Sequence, residues 1–199
     1  MRLGVIGGTF DPIHLGHLVA AEEALCQYGL DEVLFVPSGV PPHRRVPSTP
    51  ARLRLALVEG AIHDHPHFWV TSFETTKEEA GYTVDTLAAV RAELGSGASL
   101  YFITGADAVL EMATWRQPER ILQQCTVIAA TRPGYDLAHL GECIGGVRGW
   151  EAIQIMEIPH MGVSSTEIRL RVSQGRSIRY LVPESVRQMI EAEGLYRET

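Results

Sequence analysis

Cysteine is scarce in this 199-residue chain: Cys26, Cys125 and Cys143 are odd in number and show no CxxC spacing. That excludes a disulfide framework and a zinc ribbon, and makes a reducing compartment, the cytoplasm, the expectation. No apolar run approaches the roughly 20 residues of a membrane-crossing helix. The apolar stretch around Leu3–Gly7 is also too short for the core of a signal peptide. Positive charge is in deficit, with 17 Lys+Arg against 24 Asp+Glu and a formal net charge of −7. Such a chain lacks the broad basic footprint of a nucleic-acid binder, so neither nucleic acid nor a membrane is an expected partner. Any phosphate it handles must meet cations gathered locally. Internal repeats and low-complexity tracts are missing too. With 45% hydrophobic and 21% charged residues, the composition is that of a globular protein, read as a single domain over 1–199.

The pattern along the chain alternates. Leu3–Ile6 is a short apolar run stopped by Gly7 and Gly8, and Leu18, Ala21, Ala24 and Leu25 then recur at helical spacing through His17–Tyr28, with Gly29 as a C-terminal cap. Glu32–Val36 reads as a second strand. Ser38–Ser48, with three prolines, is a loop longer than the usual connection, a kind that tends to carry function. Thr49 as N-cap and Pro50 at the first helical position open a helix whose stripe is Leu53, Leu57, Ala61 and Ile62. Strands follow at Phe68–Ser72, Leu100–Thr104, Val127–Ala130 and Ile153–Ile158. Helices follow at Thr83–Leu94, Ala106–Met112, Pro118–Gln124, Thr166–Ser173 and Pro183–Glu193, the last two closed by Gly175 and Gly194. The glycine-rich stretch Leu140–Gly149 is left unassigned. This alternation predicts an α/β fold, a Rossmann-like doubly wound parallel sheet with helices on both faces, which binds ligands at the carboxyl ends of its strands.

Between the first strand and the first helix lies Gly7-Gly8-Thr9-Phe10-Asp11-Pro12-Ile13-His14-Leu15-Gly16-His17. Glycines allow a backbone to approach phosphate closely, and a helix N-terminus offers unpaired N–H groups and a favourable dipole. The run is neither GxGxxG nor GxxxxGK[ST]. Its distinctive feature is two imidazoles three residues apart at the helix start, able to donate hydrogen bonds to a triphosphate and to stabilise charge developing at its α-phosphorus. The bland alternative is a turn with surface histidines.

GGTFDPIHLGH resembles the signature of the HxGH nucleotidyltransferase superfamily, and specifically of the bacterial nicotinate-nucleotide adenylyltransferases. Segments downstream agree in order and spacing. Pro37–Arg44 resembles the family's PxxxPPHK loop, with Arg44 in place of the lysine and Arg45 beside it; a guanidinium forks where an ammonium is a point charge. Gly105-Ala106-Asp107 followed by Trp115 resembles GxDxxxxxxxW. Val163–Arg169 resembles ISSTxIR, and Val182–Val186 resembles the closing segment.

The resemblance implies adenylyl transfer from ATP to nicotinic acid mononucleotide, giving deamido-NAD and pyrophosphate, a step of NAD biosynthesis. It implies His14, His17 and Arg169 as catalytic residues. Gly8, Thr9, Phe10, Arg44, Ser164, Ser165 and Thr166 are implied on the ATP side, with Mg²⁺ arriving on ATP and no dedicated metal cage. Thr83, Asp107, Trp115 and Arg132 are implied on the mononucleotide side. The nicotinate carboxylate meets backbone around Tyr82–Thr86, and Trp115 is the platform for the pyridine ring, in a neighbourhood made partly polar by Glu111, Arg116 and Gln117. Ser164-Ser165-Thr166-Glu167 is also an S-x-x-E capping box that would start any helix, Arg169 also reads as an ordinary surface arginine, and Trp115 also reads as a core residue.

Other readings stay open at this stage. The acceptor could instead be nicotinamide mononucleotide, phosphopantetheine or riboflavin phosphate, or the chain could be a catalytically silent nucleotide-binding module; a homo-oligomer is compatible with all of them. His63-Asp64-His65-Pro66-His67 has metal-ligand residue types, but Pro66 and its place between a helix and a strand favour a solvated loop. The acidic total turns into an expectation of charge segregation, with His14, His17, Arg44, Arg45, Arg132 and Arg169 around one crevice.

Overall fold

The computed structural model describes residues 1–40, 49–77, 79–95, 97–131 and 138–197. His43, Arg44, Arg45 and Arg132 therefore lie outside the described residues. The strands are β1 (Arg2–Gly8), β2 (Glu32–Pro37), β3 (Phe68–Val70), β4 (Ser99–Gly105), β5 (Thr126–Thr131) and β6 (Gln154–Glu157). The helices are α1 (Leu15–Tyr28), α2 (Ala51–Ile62), α3 (Thr83–Leu94), α4 (Ala106–Leu110), α5 (Pro118–Gln124), α6 (Ala138–Ile144), α7 (Ser165–Ser173) and α8 (Glu184–Ala192). Sheet order is β3-β2-β1-β4-β5-β6, the 3-2-1-4-5-6 order of a Rossmann sheet. The chain contains two compact units, each assembled from three separate segments.

The first unit is Met1–Gly7, Ala20–Leu34 and Tyr82–His160. Its strands β1, β4, β5 and β6 pair in parallel, with Val5 opposite Phe102, Ile103 opposite Ile128 and Ala130 opposite Met156. Ile103, Val127, Ile128 and Ala129 are fully buried, which explains why β4 and β5 read as near-continuous apolar runs rather than alternating ones. Buried Ala20, Ala21 and Ala24 give α1 a flat inner face. Gly4 in β1 sits in close packing: a Cβ there would stand 2.9 Å from Leu30 Cδ1 and 3.0 Å from Ile103 Cδ1, so those side-chain ends would have to shift. Gly29 ends α1 at φ +55, as expected of a C-terminal cap, and Leu30 N–H returns to the Leu25 carbonyl.

The second unit is Gly8–Val19, Phe35–Gly81 and Met161–Thr199. It holds α2, α7 and α8. Ser185 Oγ donates to the Gly60 carbonyl at 2.7 Å, pinning the start of α8 to the end of α2.

Several boundaries differ from the sequence expectation. Pro50 occupies the N-cap of α2 without a side-chain cap bond, and Thr49 is not the cap: its hydroxyl faces Tyr196 instead. The buried stripe of α2 is Arg54, Leu57, Val58, Ala61 and Ile62, so Arg54 takes the inward place assigned to Leu53. The expected Ala106–Met112 helix ends at Leu110 and passes into a 3-10 turn at Met112–Thr114. Leu140–Gly149 contributes most of α6, with Leu140, Ile144 and Val147 buried at helical spacing. Its glycine has a packing reason: a Cβ on Gly141 would stand 3.1 Å from Trp150 Cη2.

Candidate active site

The residues of the first loop and of α7 expected from the sequence on the ATP side belong to the second unit. Gly8 meets the Ser38 N–H with its carbonyl at 2.9 Å, and a Cβ on it would come 3.0 Å from the Phe10 ring. Phe10 is buried at φ +48, a left-handed conformation that side chains with a Cβ resist. Its ring meets His17 edge-on at 5.0 Å.

His14 and His17 stack at 3.7 Å between ring centroids. The His14 backbone N–H donates to His17 Nδ1 at 3.2 Å, so the neutral His17 ring carries its proton on Nε2. Burial lowers the His14 imidazole from its usual 6.5 to about 4, so it is neutral at physiological pH. Gly16 separates the two histidines for a steric reason: a Cβ there would lie 3.1 Å from His14 Cε1 and 3.3 Å from Val163 Cγ1. The HxGH spacing is thus a packing device as well as a pair of donors.

The N-terminus of α7 is tied to the same loop. Ser165 Oγ donates to the Pro12 carbonyl at 2.8 Å, and Arg169 Nη1 donates to the Asp11 carbonyl at 2.7 Å, while Nη2 donates to Thr166 Oγ1 at 3.2 Å. Arg169 is half-buried by these contacts rather than an ordinary surface arginine. Ser164 Oγ accepts the Glu167 N–H at 3.2 Å, so the helix is capped as its S-x-x-E sequence suggests. Glu167 itself pairs with Arg171 at 2.8 Å. With the Ser165 hydroxyl given to Pro12, what Ser165 can offer an anion is its backbone N–H at the positive end of a nine-residue helix.

A residue absent from the sequence expectation organises this unit. Arg54 is 1% exposed, and its guanidinium donates to the carbonyls of Thr9 (2.6 Å), Gly39 (3.0 Å) and Thr49 (3.1 Å). Burial pulls its ionisation down from the usual value, and the Asp11 carboxylate opposes that shift. Tyr196 joins the cluster, its hydroxyl donating to Asp11 Oδ1 at 2.8 Å and accepting from Thr49 Oγ1 at 3.0 Å. The available signal was position: Arg54 falls at i−3 and i−4 from Leu57 and Val58 on the inward stripe.

Thr83, Asp107 and Trp115, expected from the sequence on the mononucleotide side, belong to the first unit. Trp115 is half-buried, so it is not a core tryptophan, and its ring stands edge-on to Phe102 at 6.1 Å and 85°. Arg116 lies over the Tyr82 ring at 4.6 Å and within 3.6 Å of the Asp85 carboxylate, which brings the start of α3 beside the Trp115 segment. Thr83 opens α3 with no side-chain cap at Tyr82, leaving first-turn N–H groups for an anion. Asp107 is exposed in the first turn of α4, directly after β4.

His63 and Asp64 are exposed just past α2, and His65 stacks on Phe68 at 3.6 Å, which makes the tract a loop packed against β3. Among the described residues no group of three His, Cys, Asp or Glu side chains is placed to hold a metal, and no helix is long and apolar enough to cross a membrane.

A family profile described as cytidylyltransferase-like matches residues 5–171. The protein named "Probable nicotinate-nucleotide adenylyltransferase" of Moorella thermoacetica is 47% identical, over 98% of this chain and 92% of its own length. The like-named protein of Thermus thermophilus is 44% identical, over 99% of this chain and 100% of its own. Among solved structures, the Plasmodium falciparum nicotinic acid mononucleotide adenylyltransferase complexed with NaAD aligns at a TM-score of 0.78 and 17% identity, covering 100% of this chain and 98% of that one, which bears on the fold. The chain belongs to the cytidylyltransferase-like family and, within it, to the nicotinate-nucleotide adenylyltransferases.

Proposed function

We propose that the chain transfers AMP from ATP to nicotinic acid mononucleotide, yielding deamido-NAD and pyrophosphate in NAD biosynthesis, and that it works as one catalytic domain in the cytoplasm. Neither compact unit is continuous in sequence, which favours one folding unit, and Cys26, Cys125 and Cys143 are all free thiols, which suits a reducing compartment.

The observation that carries the reading is the histidine pair with its tautomer set by the backbone. His17 directs an N–H from Nε2 without needing to be protonated, and neutral His14 stacks on it. A phosphate oxygen of the mononucleotide attacks the α-phosphorus of ATP. The bond from that phosphorus to the bridging oxygen breaks, and pyrophosphate leaves with the electron pair. The attacking oxygen is anionic at neutral pH, so no general base is required and the protein's work is alignment and charge stabilisation.

His17 Nε2, the N–H groups of Thr9 and Phe10, Arg169 and the N-terminus of α7 at Ser164–Thr166 receive the triphosphate, with Arg44 as a further cation. Thr83 N–H receives the nicotinate carboxylate, Trp115 stacks on the pyridine, Asp107 meets ribose hydroxyls and Arg132 meets the mononucleotide phosphate. The carboxylate at a helix N-terminus favours the acid over the amide mononucleotide.

ATP arrives with a divalent cation, Mg²⁺. The imidazoles, amides and guanidinium of the loop suit phosphate oxygens rather than Mg²⁺, so the ion travels on the triphosphate and water as part of the substrate. Pyrophosphate release measured with ATP and a panel of acceptors tests the reading: turnover is expected with nicotinic acid mononucleotide above nicotinamide mononucleotide, phosphopantetheine and riboflavin phosphate. Preferred turnover of another acceptor would overturn it.

A further inference from the structure

We propose that Arg54 and Tyr196 are positioning residues for adenylyl transfer, holding the peptide planes of the β1–α1 loop so that the Phe10 N–H and the Arg169 guanidinium are presented to the triphosphate. The inference rests on the reading of that loop as the ATP site.

Arg54 bonds three carbonyls from chain segments 45, 15 and 5 residues away, through three donors of one rigid fork. A trans peptide is planar, with its C=O and following N–H pointing in opposite directions. Turning the Thr9 carbonyl onto buried Arg54 therefore turns the Phe10 N–H to the opposite side of that peptide, away from the Arg54 guanidinium. Tyr196 acts on the next residue. Its hydroxyl holds the Asp11 carboxylate at 2.8 Å, while the Asp11 carbonyl receives Arg169 at 2.7 Å, so fixing Asp11 also fixes where Arg169 is anchored. Thr49 closes the circuit: its hydroxyl donates to the Tyr196 oxygen, and its carbonyl accepts from Arg54 Nε.

Two of the four non-glycine residues at positive φ among those described, Phe10 at +48 and Tyr196 at +61, stand in this circuit. Such conformations persist where the surroundings over-determine them, and they gather where geometry matters to function.

The test compares wild type with Tyr196→Phe, Thr49→Val and Arg54→Lys by steady-state kinetics, thermal melting and calorimetric binding of α,β-methylene ATP. Tyr196→Phe is expected to lower kcat about fivefold and to weaken analogue binding about threefold, with KM for the mononucleotide within about twofold of wild type. Arg54→Lys keeps the charge but not the fork, and is expected to lower kcat about tenfold or more. Variants whose melting temperature falls while kcat and analogue binding stay at wild-type values would overturn the proposal, because a merely structural tie gives that result. If Arg54→Lys does not fold, Tyr196→Phe and Thr49→Val decide by the same criteria. A wild type that releases no pyrophosphate on any acceptor counts against the proposed reaction instead, and analogue binding by the variants still decides the positioning role.

Discussion

His14 should make the folded protein sensitive to mild acid in a way that one substitution removes. Its imidazole titrates near 6.5 when unfolded and near 4 when folded, because burial beside His17 disfavours the charged form. Above pH 6.5 both states hold a neutral ring and His14 contributes no pH dependence. As pH falls below 6.5 the unfolded chain takes up a proton that the folded chain refuses, so stability drops with falling pH and levels off once pH passes below the folded value. Linkage makes the loss about 2 kcal/mol at pH 5 and about 3 kcal/mol near pH 4.

The assay is urea denaturation of wild type and His14→Asn between pH 8 and pH 4. Asparagine is neutral throughout, so subtracting the two curves cancels the carboxylates that also titrate there. The difference should be flat above pH 6.5 and should shrink by the stated amounts below it. Parallel curves across the whole range would refute the argument that His14 is buried as a neutral ring.

Removing the His17 donor by His17→Ala should cost about 3 kcal/mol of transition-state stabilisation, roughly a hundredfold in kcat, with circular dichroism unchanged; wild-type turnover would remove His17 from the mechanism. Gly16→Ala should depress kcat while the protein still folds, since the new methyl would sit 3.1 Å from the His14 ring, and nuclear magnetic resonance shifts of both imidazoles would report the displacement. Trp115→Ala should raise KM for the mononucleotide more than KM for ATP, whereas equal rises would make Trp115 structural. Thiol labelling of the folded protein at pH 8 should reach exposed Cys26 and Cys143 but spare Cys125, whose buried thiol is pushed up to about 12.

Much of this fold could be read from the chain because its strands β1, β4 and β5 are largely buried along consecutive residues and its helices are punctuated. The boundaries of α3 and α5 agree end to end, one followed by Gly95 and the other opened by Pro118. Where reading stopped short, tertiary packing had overruled local propensity. Gly141 looks like a helix breaker until Trp150 is laid against it, and Thr49 looks like an N-cap until Tyr196, 147 residues away, engages its hydroxyl.

At the site, the loop histidines and Arg169 stood out because their spacing matched a known signature. Arg54 did not, because an arginine on a helix reads as solvent-facing unless its three carbonyl partners, all outside that helix, are known. The capping box of Ser164–Glu167 was legible, but the tie from Ser165 to Pro12 spans 153 residues and left no local trace.

Direct transfer of AMP to the mononucleotide phosphate is tested by labelling that phosphate with oxygen-18. With ATP as donor, mass spectrometry should find the label wholly in deamido-NAD and the released pyrophosphate unlabelled. Label in the pyrophosphate, or AMP released without a dinucleotide, would contradict the account.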